Sequence, residues 1–522
     1  MFKKNSLTRK CFTLTITIFL TILIIYVFSI LMDASNHDFF FSNQILNKFS
    51  YQMDDIEIDN KAEEISNLPL KYYRKWFDVY NKLNFNSSFN YIDYVSKNYC
   101  FINMVNPLNL EFNNKYWQLS PENINRSKFF LYSAFYDNRM EKPLIRVISI
   151  TYFELYHKNN TYDDIYCLLW FDDSLFPIKS QVKITVLWKW DYSKTYLSVL
   201  LECSIPEIVI KQIPRAISIQ TYIDCNLMKL TNILRINVPR EKKNYNSMEN
   251  TFPKVGVCVK SFRFGDMNFS KRLIEWIEMI KILKFDKIHF YSYSTTPEID
   301  KVLNYYIKEN FVDLRKITLP DKQINNKYLY NRYYNTMKEL FWPQELIEIN
   351  DCFYRNMGKY NYIAVLDVDE MLLLPRISDI KLFLSDFELY KSLSIVARHA
   401  YFYQNYTVSH VNGIDIPIPD NLYMMKHIYR SNFFPDTINA KTIFSTESVQ
   451  WMNNHLPFKC LNDSICSVYL MPPNDGYLAH YRSDTHPNSN RCNGTLIKDD
   501  TIHQFYSQIQ SSFFRNVNKI FT

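Results

Sequence analysis

Residues 360–375 read YNYIAVLDVDEMLLLP, and this stretch decides the fold. Ile363 to Leu366 is a continuous apolar run, the pattern of a strand buried on both faces of a parallel sheet. It runs straight into Asp367-Val368-Asp369-Glu370, three carboxylates in four residues. In a continuing strand alternate side chains share a face, so Asp367 and Asp369 are expected to point the same way. Two hard oxygen ligands then stand at the carboxyl end of a central strand, where open α/β sheets bind their ligands. Such a pair suits a divalent cation that in turn holds a diphosphate.

Three rival readings compete. A helix-loop-helix calcium site needs further oxygens and a glycine after the pair, whereas Met371-Leu372-Leu373-Leu374 follow here. An aspartyl phosphatase also places Asp-x-Asp at a strand end, with the first Asp as nucleophile, but no later Gly-Asp acidic cluster completes that site. The third reading is a solvated turn at a strand end, and the rest of the chain weighs against it.

The 522 residues suffice for two or three domains with sizeable cores. Hydrophobic residues at 47% against 22% charged mark a globular chain. The net charge of +7 is modest for this length and not gathered in one run, which argues against a nucleic-acid partner. All six glycines lie at or beyond Gly256, so a boundary is expected near residue 250. No Gly-rich phosphate loop exists, which argues against a dinucleotide fold or a P-loop.

Lys3, Lys4, Arg9 and Lys10 precede an uncharged run from Cys11 to Leu31 that is long enough to span a bilayer. The basic flank predicts a cytoplasmic tail at 1–10, a signal anchor at 11–31 and a translocated remainder; a cleaved signal peptide, whose apolar region is usually shorter, is the alternative. Polar residues 32–95 read as a stem. Over 96–245, Phe129-Leu131, Leu144-Ile150, Tyr166-Trp170, Val182-Trp188, Tyr196-Leu201 and Glu207-Ile210 predict a small antiparallel β region with a structural or acceptor-holding role.

Beyond 250 the pattern alternates. Strands are expected at Val255-Val259, Lys287-Tyr293 and Phe311-Leu319. An amphipathic helix with Leu273, Trp276, Ile277, Ile280 and Leu283 inside leaves Lys271, Glu275 and Glu278 on its other side. Thr296-Pro297-Glu298 opens a second helix with Ile299, Val302, Leu303, Tyr306 and Ile307 as its buried stripe. A helix over roughly 343–358 leads into the Asp367 strand, about the fourth. Strand and helix alternate four times, which predicts a parallel sheet over 250–515.

The carboxyl half resembles glycosyltransferase family 92. The matching residues are Val257-Cys258-Val259-Lys260, Leu273-Ile274-Glu275-Trp276-Ile277-Glu278, Asn350-Asp351-Cys352-Phe353-Tyr354-Arg355, Asp367-Val368-Asp369-Glu370 with Pro375, Lys441-Thr442-Ile443, His455 and His480-Tyr481-Arg482. Upstream, Ser133-Ala134-Phe135-Tyr136-Asp137-Asn138-Arg139 resembles a segment that precedes the catalytic domain in animal members. Phe285 stands where the family usually has glycine, and Tyr291-Ser292-Tyr293-Ser294 replaces its usual strand end near the nucleotide base. The resemblance implies a Rossmann-like, GT-A type α/β fold and an inverting β-galactosyltransferase that uses UDP-galactose and Mn²⁺ on N-glycans of glycoproteins. It also implies a type II protein of the Golgi membrane. The partners expected are a nucleotide sugar, a glycan acceptor, the membrane through one helix, and a second copy of the chain. Another UDP-sugar donor, or an inactive glycan-binding relative, are the alternatives.

On this reading Asp369, Asp367 and His480 are the metal ligands, with Asp367 also offered to the ribose. Glu370 either supports them or ends the strand. Lys441 and Arg482 are assigned to phosphate, and Lys260, Arg263 and Asp351 to the nucleotide. An inverting transfer needs one general base for the acceptor hydroxyl, and Glu447 and Asp475 are its candidates. Of ten cysteines, Cys258 and Cys352 are expected as buried thiols, and Cys460, Cys466 and Cys492 as disulfide candidates. Sequons at Asn86, Asn125, Asn159, Asn268, Asn405, Asn462 and Asn493 permit a secretory location.

Overall fold

The computed structural model describes residues 110–522 except segments 122–127, 153–164, 173–175, 188–195, 222–229, 240–251, 264–268, 388–392, 436–438, 462–465 and 483–493 and positions 327, 337, 412 and 414. The expected tail, anchor and stem lie outside the described residues, as does Cys492.

Residues 112–237 form a nine-stranded sheet. Phe129–Asp137 explains its shape. This strand pairs antiparallel with Leu144–Tyr152 along one edge, and its other edge is shared between Trp117–Leu119 and the parallel strand Leu234–Asn237. The second pairing closes seven strands into a barrel, so those seven leave no open edge. Period-2 alternation, stepped by one residue at the register shift between Leu131 and Ser133, sends Phe129, Leu131, Ala134 and Tyr136 into the barrel core. Phe130, Tyr132 and Phe135 point outward, yet all nine residues of the strand are buried. The outer face is covered by the carboxyl half of the chain. Residues 207–209 form a 3-10 turn where a strand was expected. Pro206 supplies its fixed φ at the residue before.

The carboxyl half builds on β1 (Val255–Arg263), α1 (Ser270–Ile282), β2 (Lys287–Ser294), α2 (Pro297–Lys308), β3 (Val312–Lys316), α3 (Lys338–Asn356) and β4 (Tyr362–Val365). After these come β5 (Glu370–Leu373), β6 (Ser394–Ala397), β7 (His399–Tyr403), the single turn α4 (Tyr423–Lys426) and β8 (Lys441–Ser445). The chain closes with β9 (Val468–Met471), β10 (Tyr477–Arg482) and α5 (Tyr506–Phe521). One sheet has the order β3-β2-β1-β4-β8-β6-β9, and β5, β10 and β7 form the core of a second. The first four strands are parallel. β8 then enters antiparallel to β4, so the sheet is mixed, against the all-parallel expectation.

Alternate residues of β1 and β4 are buried on both faces, the reason their runs read as continuously apolar. Val255, Val257, Ala364 and Leu366 join α1 and α2, while Cys258, Ile363 and Val365 join α3, the barrel's outer face and Trp451 in one cluster. The barrel and the second half thus share a core. Polar welds reinforce it: Ser133 Oγ donates to Asp351 (2.5 Å), Trp117 Nε1 to the Thr318 carbonyl (2.8 Å), Gln450 Nε2 to Glu202 (2.6 Å) and Arg139 to the Thr446 and Val449 carbonyls (2.9 and 2.7 Å).

Several details depart from the sequence reading. Glu275 and Glu278 are buried, because α4 and α5 cover the polar side of α1. Glu275 accepts the Met424 and Met425 N–H groups, and Glu278 accepts Tyr306 and Asn516. Ile307, placed in the stripe of α2, is exposed. Cys258 and Cys352 are joined in a disulfide that ties β1 to α3, so neither is a free thiol. Cys460–Cys466 and Cys167–Cys203 are also bonded. After α1 the left-handed turn position is Lys284 (φ 68°), which leaves Phe285 to pack into the core.

Candidate active site

In the order β3-β2-β1-β4 the chain builds outward from β1 in one direction and resumes beyond it at β4. The carboxyl ends of β1 and β4 therefore flank a topological switch point, where an open α/β sheet leaves a crevice. Lys260, near the end of β1, and Asp367, just past β4, meet there with Nζ 3.2 Å from Oδ2.

Asp367 and Asp369 do not lie on a strand. β4 stops at Val365, and Asp367 to Glu370 turn back into β5. Glu370 N–H donates to the Asp367 carbonyl (3.0 Å), and Asp367 N–H donates to Glu370 Oε2 (2.9 Å). Tyr481 N–H then binds the Asp369 carbonyl (2.8 Å), which fastens the turn to β10. The two carboxylates consequently face different partners, and the expectation of one shared face fails.

Asp367 is gripped by two ammoniums, Lys260 and Lys441, each 3.2 Å from Oδ2. Burial alone raises its pKa, but the charges of Lys260, Lys441 and His480 outweigh this and hold the carboxyl well below its ordinary range. Asp369 instead faces His480, with Nε2 3.3 Å from Oδ2. The other nitrogen of His480 lies 3.5 Å from Glu370 and 3.1 Å from His399 Nε2. Burial lowers the His480 pKa, yet Asp369 and Glu370 carry it above the ordinary value. His399, buried beside cationic neighbours, is pushed down to about 2, and His455 to about 4. Both are neutral at physiological pH.

Metal fit can be judged from the donor set. Two ligands each about 2.1 Å from one ion at a right angle stand about 3 Å apart, close to the Asp369–His480 spacing. Glu370 and His399 behind His480 supply the orienting contacts such a ligand uses. Asp367, expected as a third ligand, is turned to the lysines, and among the described residues no three His, Cys, Asp or Glu are grouped to hold an ion. Two protein ligands suit a cation whose shell is completed by water and substrate phosphates.

The remaining sequence candidates scatter. Arg263 ends β1 in register with Ser294, but its side chain lies outside the described residues. Arg482 ends β10 and adds positive charge near His399. Asp351 sits within α3, fully buried, held by Ser133, Tyr291 and Arg355, so it welds the barrel to the sheet and does not face the crevice. Glu447 follows β8, whose Ser445 pairs with Tyr362 at the start of β4, which puts it at the opposite end of the sheet from Asp367. Asp475 precedes β10, whose Tyr477 pairs with Leu373 while His480 pairs with Glu370, so it too is remote and bridges to Arg376 (3.0 Å). Neither carboxylate reaches the crevice. Sequence reasoning missed His399, Asn454 and Glu345. No spacing pointed to them, because they arrive from three separate elements.

The sequence profile of glycosyltransferase family 92 matches residues 253–517, just over half the chain. The chain belongs to this family. A curated relative, the beta-1,4-galactosyltransferase galt-1 of Caenorhabditis elegans, is 28% identical over 121 residues. That match spans 22% of this chain and 24% of the relative, so the chain covers about a quarter of the relative's length. Among solved structures, the mannosyltransferase Ktr4p of S. cerevisiae overlaps 33% of this chain and 46% of its own, at 14% identity and TM-score 0.20. A UDP-glucose pyrophosphorylase overlaps 51% of this chain and 99% of its own, at 9% identity and TM-score 0.17. Structural overlap at these scores carries no argument. The family 92 region holds Lys260, Asp367, Asp369, Lys441 and His480, while the barrel stands ahead of it.

Proposed function

We propose that this family 92 chain is a metal-dependent inverting glycosyltransferase that moves galactose from UDP-galactose to an N-glycan on glycoprotein. The observation that carries the reading is the side-chain cluster at the β1/β4 switch point, where Asp369 and His480 converge beside an Asp367 flanked by Lys260 and Lys441. Asp369 and His480 would hold Mn²⁺, which when bound offsets the charge that grows on the departing diphosphate. Glu370 and His399 orient His480, and Lys260 adds positive charge on the donor side. The relative named as a galactosyltransferase supports galactose as the sugar. Residues 11–31 would anchor the protein in the Golgi membrane as a single-pass type II chain, with the site in the lumen.

The full chain, made in a secretory host, is to be incubated with UDP-galactose, Mn²⁺ and mixed N-glycans. EDTA and Asp369→Ala serve as controls. Galactose transfer that vanishes in both establishes the reading. Transfer from a different UDP-sugar corrects the donor only. Glycan binding with no turnover of any nucleotide sugar replaces the enzyme with a binding protein.

A further inference from the structure

Two ammoniums meet one carboxylate at Asp367, and their surroundings differ sharply. Lys441 is 2% exposed; its Nζ donates to Asp367 Oδ2 at 3.2 Å and Asn454 Oδ1 at 2.8 Å and forms an ion pair with Glu370 Oε2 at 3.0 Å. Two carboxylates and an amide oxygen thus enclose a buried ammonium. To turn toward a ligand it would have to leave Glu370, a carboxylate only 3% exposed, without its ammonium. Lys260 stands on β1 at the open side, 16% exposed, at 3.2 Å from Asp367 and 3.5 Å from Glu345.

We propose that the two lysines divide the work at this site. Lys441 is a positioning residue, an internal counter-ion that fixes the Asp367–Glu370 turn and so aims Asp369 at His480, and it does not meet the donor. Lys260 is the residue that touches the donor diphosphate. The assignment rests on the nucleotide-sugar reading for its ligand. It removes Lys441 from the phosphate, where the sequence reading places it. The turn explains why a buried cation is needed: Asp367 and Glu370 lie three residues apart and exchange hydrogen bonds, and two uncompensated carboxylates at that distance would repel.

The wild-type full chain allows a direct test. UDP binding in Mn²⁺ is first measured by calorimetry, and lysines are then labelled with an amine reagent, with and without UDP, and read by mass spectrometry. Lys441 should stay unlabelled in both states, and Lys260 should label in the free protein and be protected several-fold by UDP. Labelling of Lys441 that UDP suppresses overturns the division. So does an unprotected Lys260 in a protein that binds UDP. Failure of UDP to bind at all removes the nucleotide reading and the Lys260 half together. Lys441 is then judged on its variants alone. Lys260→Met should weaken UDP about ten-fold at an almost unchanged melting temperature. Lys441→Met should lower the melting temperature by several degrees, and adding Glu370→Gln should restore part of that loss. An undiminished melting temperature in Lys441→Met with weakened UDP binding would show Lys441 to be a phosphate ligand.

Discussion

Asp137 and Asp367 are each held between two cations, one in the barrel and one at the candidate site. In the barrel, Asp137 takes Arg139 (2.8 Å) and Arg146 (2.7 Å), and Arg146 also binds Glu202. At the sheet's carboxyl end, Asp367 takes Lys260 and Lys441. In both places the cations overcome burial and hold the carboxyl below its ordinary pKa. The difference lies in what closes over them. Asp137 and Arg146 have no exposed side-chain surface, and guanidinium forks fill both carboxylate oxygens. Asp367 keeps 25% of its side chain open, beside an Asp369 that keeps 37%. A sealed arrangement is a weld between two halves of the chain. An open one leaves charge that a ligand can answer.

That contrast can be broken most completely by removing the barrel. A chain beginning at residue 250 should give no soluble, cooperatively melting protein, because the shared core around Tyr354 and Ile363 would face water. A sharp melt from that fragment would sever the two regions. Next in size, Arg146→Met takes a buried cation from both Asp137 and Glu202 and should cost about 3–5 kcal/mol in urea unfolding. Lys260→Met, at the open cluster, should cost about 1 kcal/mol or less. Equal losses would abolish the distinction between weld and site.

Acid should expose the site's side of the comparison. His399 has a folded pKa of about 2 against about 6.5 when unfolded, so below pH 6.5 the unfolded chain takes up a proton that the folded chain refuses. Stability should therefore fall as pH drops from 6.5, by up to about 1.4 kcal/mol per pH unit from this group. Urea titrations at pH 7, 6 and 5 should show a shallower decline in His399→Gln, and an unchanged slope would refute the assignment. Smaller still, Lys284→Gly relieves a left-handed backbone position and should add about 0.5–1 kcal/mol to stability, read as a raised midpoint. Glu447→Gln and Asp475→Asn should leave kcat within about two-fold, because both lie at the far end from the crevice. A collapse of activity in either would return it to the site.

The strands of the first sheet were legible because burial on two faces writes an unbroken apolar run, as in Tyr362–Val365. The α2 start was legible because Thr296 accepts the Ile299 N–H group and Pro297 supplies its φ. The turn at Asp367 was not, since apolar residues continue on both sides of it and hide the break. The direction of β8 was equally hidden. Alternation of strand and helix predicts parallel neighbours, and an antiparallel entry moves Glu447 from the crevice to the opposite edge. Partners contributed by remote segments escaped for another reason: α5 buries Glu278, and β7 brings His399 to His480, across distances in sequence that no local period records. Of the site, Asp367, Asp369, His480, Lys260 and Lys441 were named in advance, and which of them face one another followed only from the structure.

Two of the three disulfides among the described residues place a demand on the order in which this protein is made. Cys167, Cys203, Cys258 and Cys352 are all essentially inaccessible once the barrel and the first sheet have closed over one another. Thiol exchange needs a nucleophile to reach a sulfur, so neither bond can be installed or corrected in the finished protein. Oxidation has to accompany folding. Chains collected from a reducing host would carry four entombed thiols that later exposure to oxidant cannot repair, and an inactive preparation of that kind would speak about its history rather than about its chemistry.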